Sequence, residues 1–202
     1  MTVKIAVLVS GRGSNLQAII DSIEKGYIKN AAVNVVISNK ADAYALERAK
    51  THGISAVFLD PRGRDRDEYD REILNVLRQY DTDLLLLAGY FRLLGSDIIE
   101  AYRHKILNIH PSLLPAFKGL HAQKQAFEYG VKVAGCTVHF VDEGLDSGPI
   151  IIQKCVPVLP GDTEETLTDR ILEQEHIIYP EAVRLFVEDK LKVEGRNVIA
   201  LD

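Results

Sequence analysis

Apolar residues in the first half of the chain fall into short continuous runs, separated by segments in which they recur every three or four positions. The runs at 4–10, 33–38, 56–59, 84–88 and 106–109 have the length and density of buried strands. Between them, 15–25, 43–52, 68–80 and 96–102 carry helical spacing. The leucines at 84–87 leave no polar face, so that strand is expected to be covered on both sides. Strand-helix-strand repetition implies right-handed crossovers. The predicted fold is therefore α/β, an open, mostly parallel twisted sheet with helices on both faces.

Past residue 109 the rhythm changes. The stretch "HPSLLPAFKGLH" (110–121) has two prolines and a glycine, too broken for a helix, and reads as an ordered functional loop. "GCTVHFV" (135–141) and "GPIIIQKCVPVLP" (148–160) read as strands joined by the acidic "DEGLDSG", an antiparallel extension in the C-terminal half. Helical spacing resumes over 163–178, where Thr163 and Thr166 compete as N-caps. The tail "KLKVEGRNVIAL" reads as a hairpin. With no repeat, low-complexity segment or linker, one domain over 1–202 is expected.

Composition narrows the possible partners. The 202 residues are 47% hydrophobic and 26% charged, as in an ordinary globular protein. A net charge of −5 provides no general attraction to nucleic acid or to an anionic membrane, so neither is expected as a partner. "MTVKIAVLVS" is too short an apolar stretch for a signal peptide and reads as a strand, which makes a cytoplasmic location the expectation. Cys136 and Cys155 lie in separate apolar runs without metal-ligand spacing and are expected to pack as small hydrophobes.

The turn in "VSGRGSNLQAII" (9–20) lies between a strand and a helix, where a phosphate is commonly held. It is a poor dinucleotide fingerprint: Gly11 and Gly13 fit GxGxxG, but Leu16 takes the third glycine's place and "ISNK" ends the next strand without an acidic residue. No GxxxxGK[ST] occurs. The amides of Gly13, Ser14 and Asn15 nevertheless lie where free N–H groups and the helix dipole favour a phosphate monoester. An equally good local reading is that Ser14 or Asn15 merely caps the helix.

Chemistry is concentrated further along. In "ILNIHPSLLP", Asn108 and His110 are two residues apart at a strand end and leave the same face, where an amide and an imidazole can donate to one developing oxyanion. Asp146, in the loop that follows, can orient the imidazole or accept a proton. Strand ends of open α/β sheets are where ligands bind. His110, His121, His139 and Asp146 lack the close spacing of a metal site. Ser112 and Ser147 are outside any GxSxG elbow, and neither cysteine has the setting of a reactive thiolate. Direct transfer between two bound substrates remains.

The motifs "SGRGSNLQAI", "SNKADAYALERA", "LLLAGYFRLL", "LNIHPSLLPAFKGLHAQKQA", "GCTVHFVDEGLDSGPII" and "EQEHIIYP" together resemble the folate-dependent phosphoribosylglycinamide formyltransferases over nearly the whole chain. "HPSLLP" and "LDSGP" are common to formyltetrahydrofolate-using enzymes, whereas "SGRGSNLQ" and "QEHIIYP" point to the ribonucleotide enzymes. Two sister families normally carry an extra domain, methionyl-tRNA formyltransferases at the C-terminus and formyltetrahydrofolate deformylases at the N-terminus, and such a domain is not expected here.

The resemblance implies a Rossmann-like formyltransferase domain that formylates glycinamide ribonucleotide from 10-formyltetrahydrofolate as cosubstrate, without a metal, in purine biosynthesis. Its N-terminal half would hold the ribonucleotide phosphate, its C-terminal half the folate and the chemistry. By this resemblance Gly13, Ser14 and Asn15 hold the phosphate, Glu175 lies near the sugar and glycinamide, and Asn108, His110 and Asp146 are catalytic. Arg66, Phe91, Arg92, Leu93, Leu94, Val141, Asp142, Glu143 and Gly144 surround the folate, with backbone groups at 92–94 and 141–144 reading the pterin. Phe91 stands where other members have methionine. The partners are the two small-molecule substrates, and both monomer and homodimer fit the family. Transfer to another amine, such as an amino sugar nucleotide, and a non-catalytic phosphate-binding module are the alternatives.

Overall fold

A computed structural model describes residues 1–201, which divide into two compact units, Met1–Leu107 and Asn108 onward. The first unit contains β1 (Val3–Val9), α1 (Ser14–Glu24), β2 (Ala31–Ser38), α2 (Tyr44–Thr51), β3 (Ser55–Phe58), α3 (Arg66–Gln79), β4 (Leu84–Leu87) and α4 (Ser96–Ala101). Its strands run in the order β3-β2-β1-β4, each paired in parallel with its neighbour. Ile5 to Val9 and Leu84 to Leu86 are completely buried, which is why these strands read as unbroken apolar runs. α1 buries Leu16, Ile19 and Ile20, and α3 buries Tyr69, Ile73, Leu74 and Leu77. Each fully buried Leu or Ile contributes about 1.5–3 kcal/mol.

Residues from the second half form β5 (Ile106–His110), α5 (Ala122–Tyr129), β6 (Val133–Phe140), β7 (Ile150–Pro157), α6 (Glu164–Val187), β8 (Leu191–Glu194) and β9 (Asn197–Ala200). Their strand order is β5-β6-β7-β9-β8. The β6/β7 and β8/β9 pairs are antiparallel, as the sequence predicts, while β7 meets β9 in parallel at Ile150 and Asn197. No helix among the described residues is long and apolar enough to cross a membrane.

Two helices differ from expectation. α5 carries no N-terminal signal: its N-cap, His121, is left-handed with no side-chain cap, and only Ala122 and Ala126 of its face are buried. α6 runs to Val187, through Pro180, instead of ending at 178. A proline inside a helix costs about 3 kcal/mol. Full burial of Tyr179, Ala182 and Val183 around it offsets that cost. Thr163 and Thr166 do not compete, since Thr163 Oγ1 accepts the Thr166 N–H (3.2 Å) and Thr166 Oγ1 accepts the Thr163 N–H (2.9 Å) in a capping box.

The cysteines also part company. Cys136 is buried on β6, and burial pushes its thiol up to about 12. Cys155 is exposed, against expectation, because its cross-strand neighbour is Gly135, which has no side chain to cover it. A thiol-specific chromogenic reagent at pH 8 is therefore expected to modify one cysteine in the native protein and two after denaturation. Two fast-reacting thiols in the native state would contradict the buried setting of Cys136.

Candidate active site

In the first unit the glycine-rich turn follows β1. Gly13 adopts φ +70° as the N-cap of α1, with no side-chain cap, so neither Ser14 nor Asn15 is used in that way. A Cβ at Gly13 would come within 2.6 Å of the Ala45 Cβ, so glycine is required both for the backbone angle and for the close approach of α2. α2 braces the turn: the Ala45 N–H donates to the Gly11 carbonyl (3.1 Å) and Arg48 Nε donates to the Arg12 carbonyl (2.9 Å). The turn is thereby rigid, and the amides that open α1 form the kind of terminus that favours an anion.

Residues 90–95 of the same unit follow β4. The Phe91 N–H donates to Ser10 Oγ (3.0 Å), the Arg66 guanidinium donates to the Leu94 carbonyl, and the Arg92 guanidinium lies over the Tyr69 ring at 4.8 Å. Phe91 and Leu93 are exposed while Leu94 is buried. Such an alternation leaves two apolar side chains at the surface of a segment whose backbone is firmly held.

The second unit brings Asn108, His110 and Asp146 together. β5 ends at His110, which is buried and flanked by two acceptors: Nε2 donates to the Phe117 carbonyl at 2.9 Å, and Nδ1 lies 3.4 Å from Asp146 Oδ2. Only the imidazolium can donate in both directions. Asp146 has φ +43°, a backbone angle that Asp tolerates better than most side chains, and its Oδ2 accepts the Gly119 N–H at 2.7 Å. The loop before it is an Asx turn, with Asp142 Oδ1 accepting from the Gly144 N–H (3.1 Å) and from Ser147 Oγ (2.6 Å). A Cβ at Gly144 would lie 2.1 Å from Ser147 Oγ, so a side chain there would displace the hydroxyl from its bond to Asp142.

His139 completes the cluster, although sequence spacing brings it in only as a candidate metal ligand. Its Nδ1 donates to the Phe140 carbonyl (2.7 Å), which leaves Nε2 to accept from Asn108 Nδ2 (3.1 Å), with Asp146 Oδ1 3.8 Å away. The signal was available in the alternation of "CTVHFV", a polar ring inside a buried strand, but its partners come from other elements. Burial holds its pKa below the ordinary histidine value, although the Phe140 carbonyl and Asp146 oppose this. A histidine buried neutral takes up a proton on unfolding, so stability is expected to fall as pH drops below the unfolded value of about 6.5. Denaturant midpoints at pH 7 and 5 should show a smaller loss in His139→Gln than in the unaltered protein; an equal loss would remove His139 as a source.

Glu175 is buried on α6, close enough to Cys136 for its charge to help raise that thiol. Among the described residues, no group of three or more His, Cys, Asp or Glu is arranged to hold a metal ion.

An α/β scaffold with a polar cluster at a strand end and an anion-favouring turn suits a group-transfer enzyme, and sequence comparison places the chain in that class. The chain belongs to the formyl transferase family, which matches residues 3–183. It is 46% identical over 199 residues to the phosphoribosylglycinamide formyltransferase of Escherichia coli K12, covering 98% of this chain and 93% of that protein. The crystal structure of glycinamide ribonucleotide transformylase 1 from Symbiobacterium toebii superposes with a TM-score of 0.97 at 55% identity, covering 100% of this chain and 95% of that one. A formyltetrahydrofolate deformylase from Pseudomonas syringae also superposes, with a TM-score of 0.94 at 26% identity, covering 100% of this chain and 67% of that one.

Proposed function

We propose that this chain transfers the formyl group of 10-formyltetrahydrofolate to the amine of glycinamide ribonucleotide, giving formylglycinamide ribonucleotide and tetrahydrofolate in purine biosynthesis. The observation that carries the reading is the Asn108–His110–Asp146 cluster, built around the buried His110, in a chain so similar to enzymes of that name. The amine attacks the formyl carbon, a tetrahedral intermediate forms, and its collapse breaks the bond to the folate nitrogen. Asn108, with the Nδ2 hydrogen not directed at His139, donates to the developing oxyanion, and the His110 imidazolium, whose two N–H groups face Phe117 and Asp146, stabilises it by its charge. Asp146 holds that charge in place and moves the proton from the attacking amine to the departing nitrogen, directly or through water.

The amides of Gly13, Ser14 and Asn15 bind the ribonucleotide phosphate, and Glu175 serves its sugar and glycinamide end. Phe91, Arg92, Leu93 and Leu94 with Arg66, and Val141, Asp142, Glu143 and Gly144, surround the folate. One formyltransferase domain spans the chain in this reading, and its partners are these two small molecules. Positioning both substrates before reaction supplies a large share of the acceleration.

A spectrophotometric assay with 10-formyltetrahydrofolate, with and without glycinamide ribonucleotide, tests the proposal. Turnover only with the ribonucleotide is the expected result. Consumption without it would identify a hydrolase, the activity named for the deformylase of the same fold. Turnover with an amino sugar nucleotide instead would move the acceptor, and binding without turnover would leave a phosphate-binding module.

A further inference from the structure

α3 carries a residue that its apolar face does not explain. Asp70 is 4% exposed, in line with Tyr69, Ile73, Leu74 and Leu77, where a carboxylate is expensive to bury unless it is bonded. Its Oδ2 accepts the N–H of Gly95, at the far end of the 91–95 segment. The two residues fit each other closely: a Cβ at Gly95 would stand 2.4 Å from that same oxygen. Gly95 has φ −80°, so the backbone angle does not call for glycine; a Cβ there would instead push the Asp70 carboxylate away from the Gly95 N–H.

The contact does not stand alone. Arg66, one turn earlier on α3, donates to the Leu94 carbonyl, and Tyr69 supports the Arg92 guanidinium. Positions 66, 69 and 70 are neighbours on one face of a helix, so α3 holds three points of the segment, at Leu94, Arg92 and Gly95, while Ser10, just past the end of β1, holds Phe91. Burial raises the pKa of Asp70, and the Gly95 N–H and the charges of Arg66 and Arg92 oppose that rise.

We propose that Asp70 is a positioning residue for the folate: with Arg66 and Tyr69 it fixes the backbone of residues 91–95 in the shape that receives the pterin. The inference rests on the reading that this segment lines the folate site. Asp70 itself touches no substrate; it acts through the Gly95 amide.

The test compares Asp70→Ala, Asp70→Asn and Phe91→Ala by steady-state kinetics in the full chain, with thermal melts as the folding check. Asp70→Ala is expected to raise KM for 10-formyltetrahydrofolate about tenfold or more, the loss of one buried hydrogen bond to a charged group. KM for the ribonucleotide should stay within about twofold of its starting value. Asp70→Asn keeps an acceptor for the Gly95 N–H and should fall between the two, and it carries the test if the alanine variant does not fold. Equal changes in both KM values, or none, would overturn the proposal when Phe91→Ala still raises the folate KM. If Phe91→Ala also leaves that KM unchanged, the folate reading of the segment fails, and the proposal falls with it.

Discussion

Asp146→Asn is expected to lower kcat by about three orders of magnitude, within the range that a positioned acid–base group supplies, while the thermal midpoint shifts by only a few degrees. The substitution preserves shape. One carboxylate oxygen takes the Gly119 N–H at 2.7 Å and faces His110 Nδ1 at 3.4 Å, and the other lies 3.8 Å from His139. An asparagine can keep the Gly119 bond with its single carbonyl oxygen but then presents an NH2 group elsewhere, and in either orientation it cannot carry a proton or balance an imidazolium. Because the side chain is only 12% exposed, the lost charge is not replaced by bulk water. Single-turnover measurements separate chemistry from binding. A kcat within tenfold of the parent would remove Asp146 from the proton path and leave Asn108 and His110 as an oxyanion site alone.

Ser14→Phe is expected to raise KM for the ribonucleotide about 100-fold and to leave the folate KM within about twofold. Two phosphate hydrogen bonds at about 1.5 kcal/mol each account for that factor. Ser14 opens α1 directly after a glycine whose missing Cβ lets Ala45 approach, so the turn cannot swing away to make room for a ring. The Ala45 and Arg48 bonds to the Gly11 and Arg12 carbonyls hold it there. Kinetics at fixed saturating folate, then at fixed saturating ribonucleotide, give the two constants. Parallel changes in both would show that the turn does not hold the phosphate.

Much of the fold is legible in the sequence. The apolar runs at 4–10 and 84–88 became β1 and β4 with shifts of a residue or so, because a strand covered on both faces leaves no polar position to blur its edges. Asn108 and His110 could be placed on one strand end by counting alone, and both meet the cluster. α5 could not be read, since a helix with two buried alanines and no side-chain N-cap leaves almost no periodic trace, and its one terminal signal is the left-handed C-cap Gly130. Nor could the length of α6, which runs on past 178 through Pro180 because the packing around Tyr179 offsets the cost of the proline. Cys155 departs from expectation for a related reason: an apolar neighbourhood in sequence does not reveal that the residue across the ladder is Gly135.

The sequence by itself determined the alternation of strand and helix, the glycine-rich turn, and the residue types available for formyl transfer, since these depend on local spacing and on side-chain chemistry. Tertiary structure alone decided which of them act together. His139 joins Asn108 and Asp146 across β5, β6 and the loop that follows, and the Phe117 carbonyl turns to His110 from a left-handed residue. Asp70 meets Gly95 across 25 residues of chain. The physical reason is that hydrogen bonds to buried groups depend on approach and direction between elements distant in sequence, and no periodicity along one element encodes them.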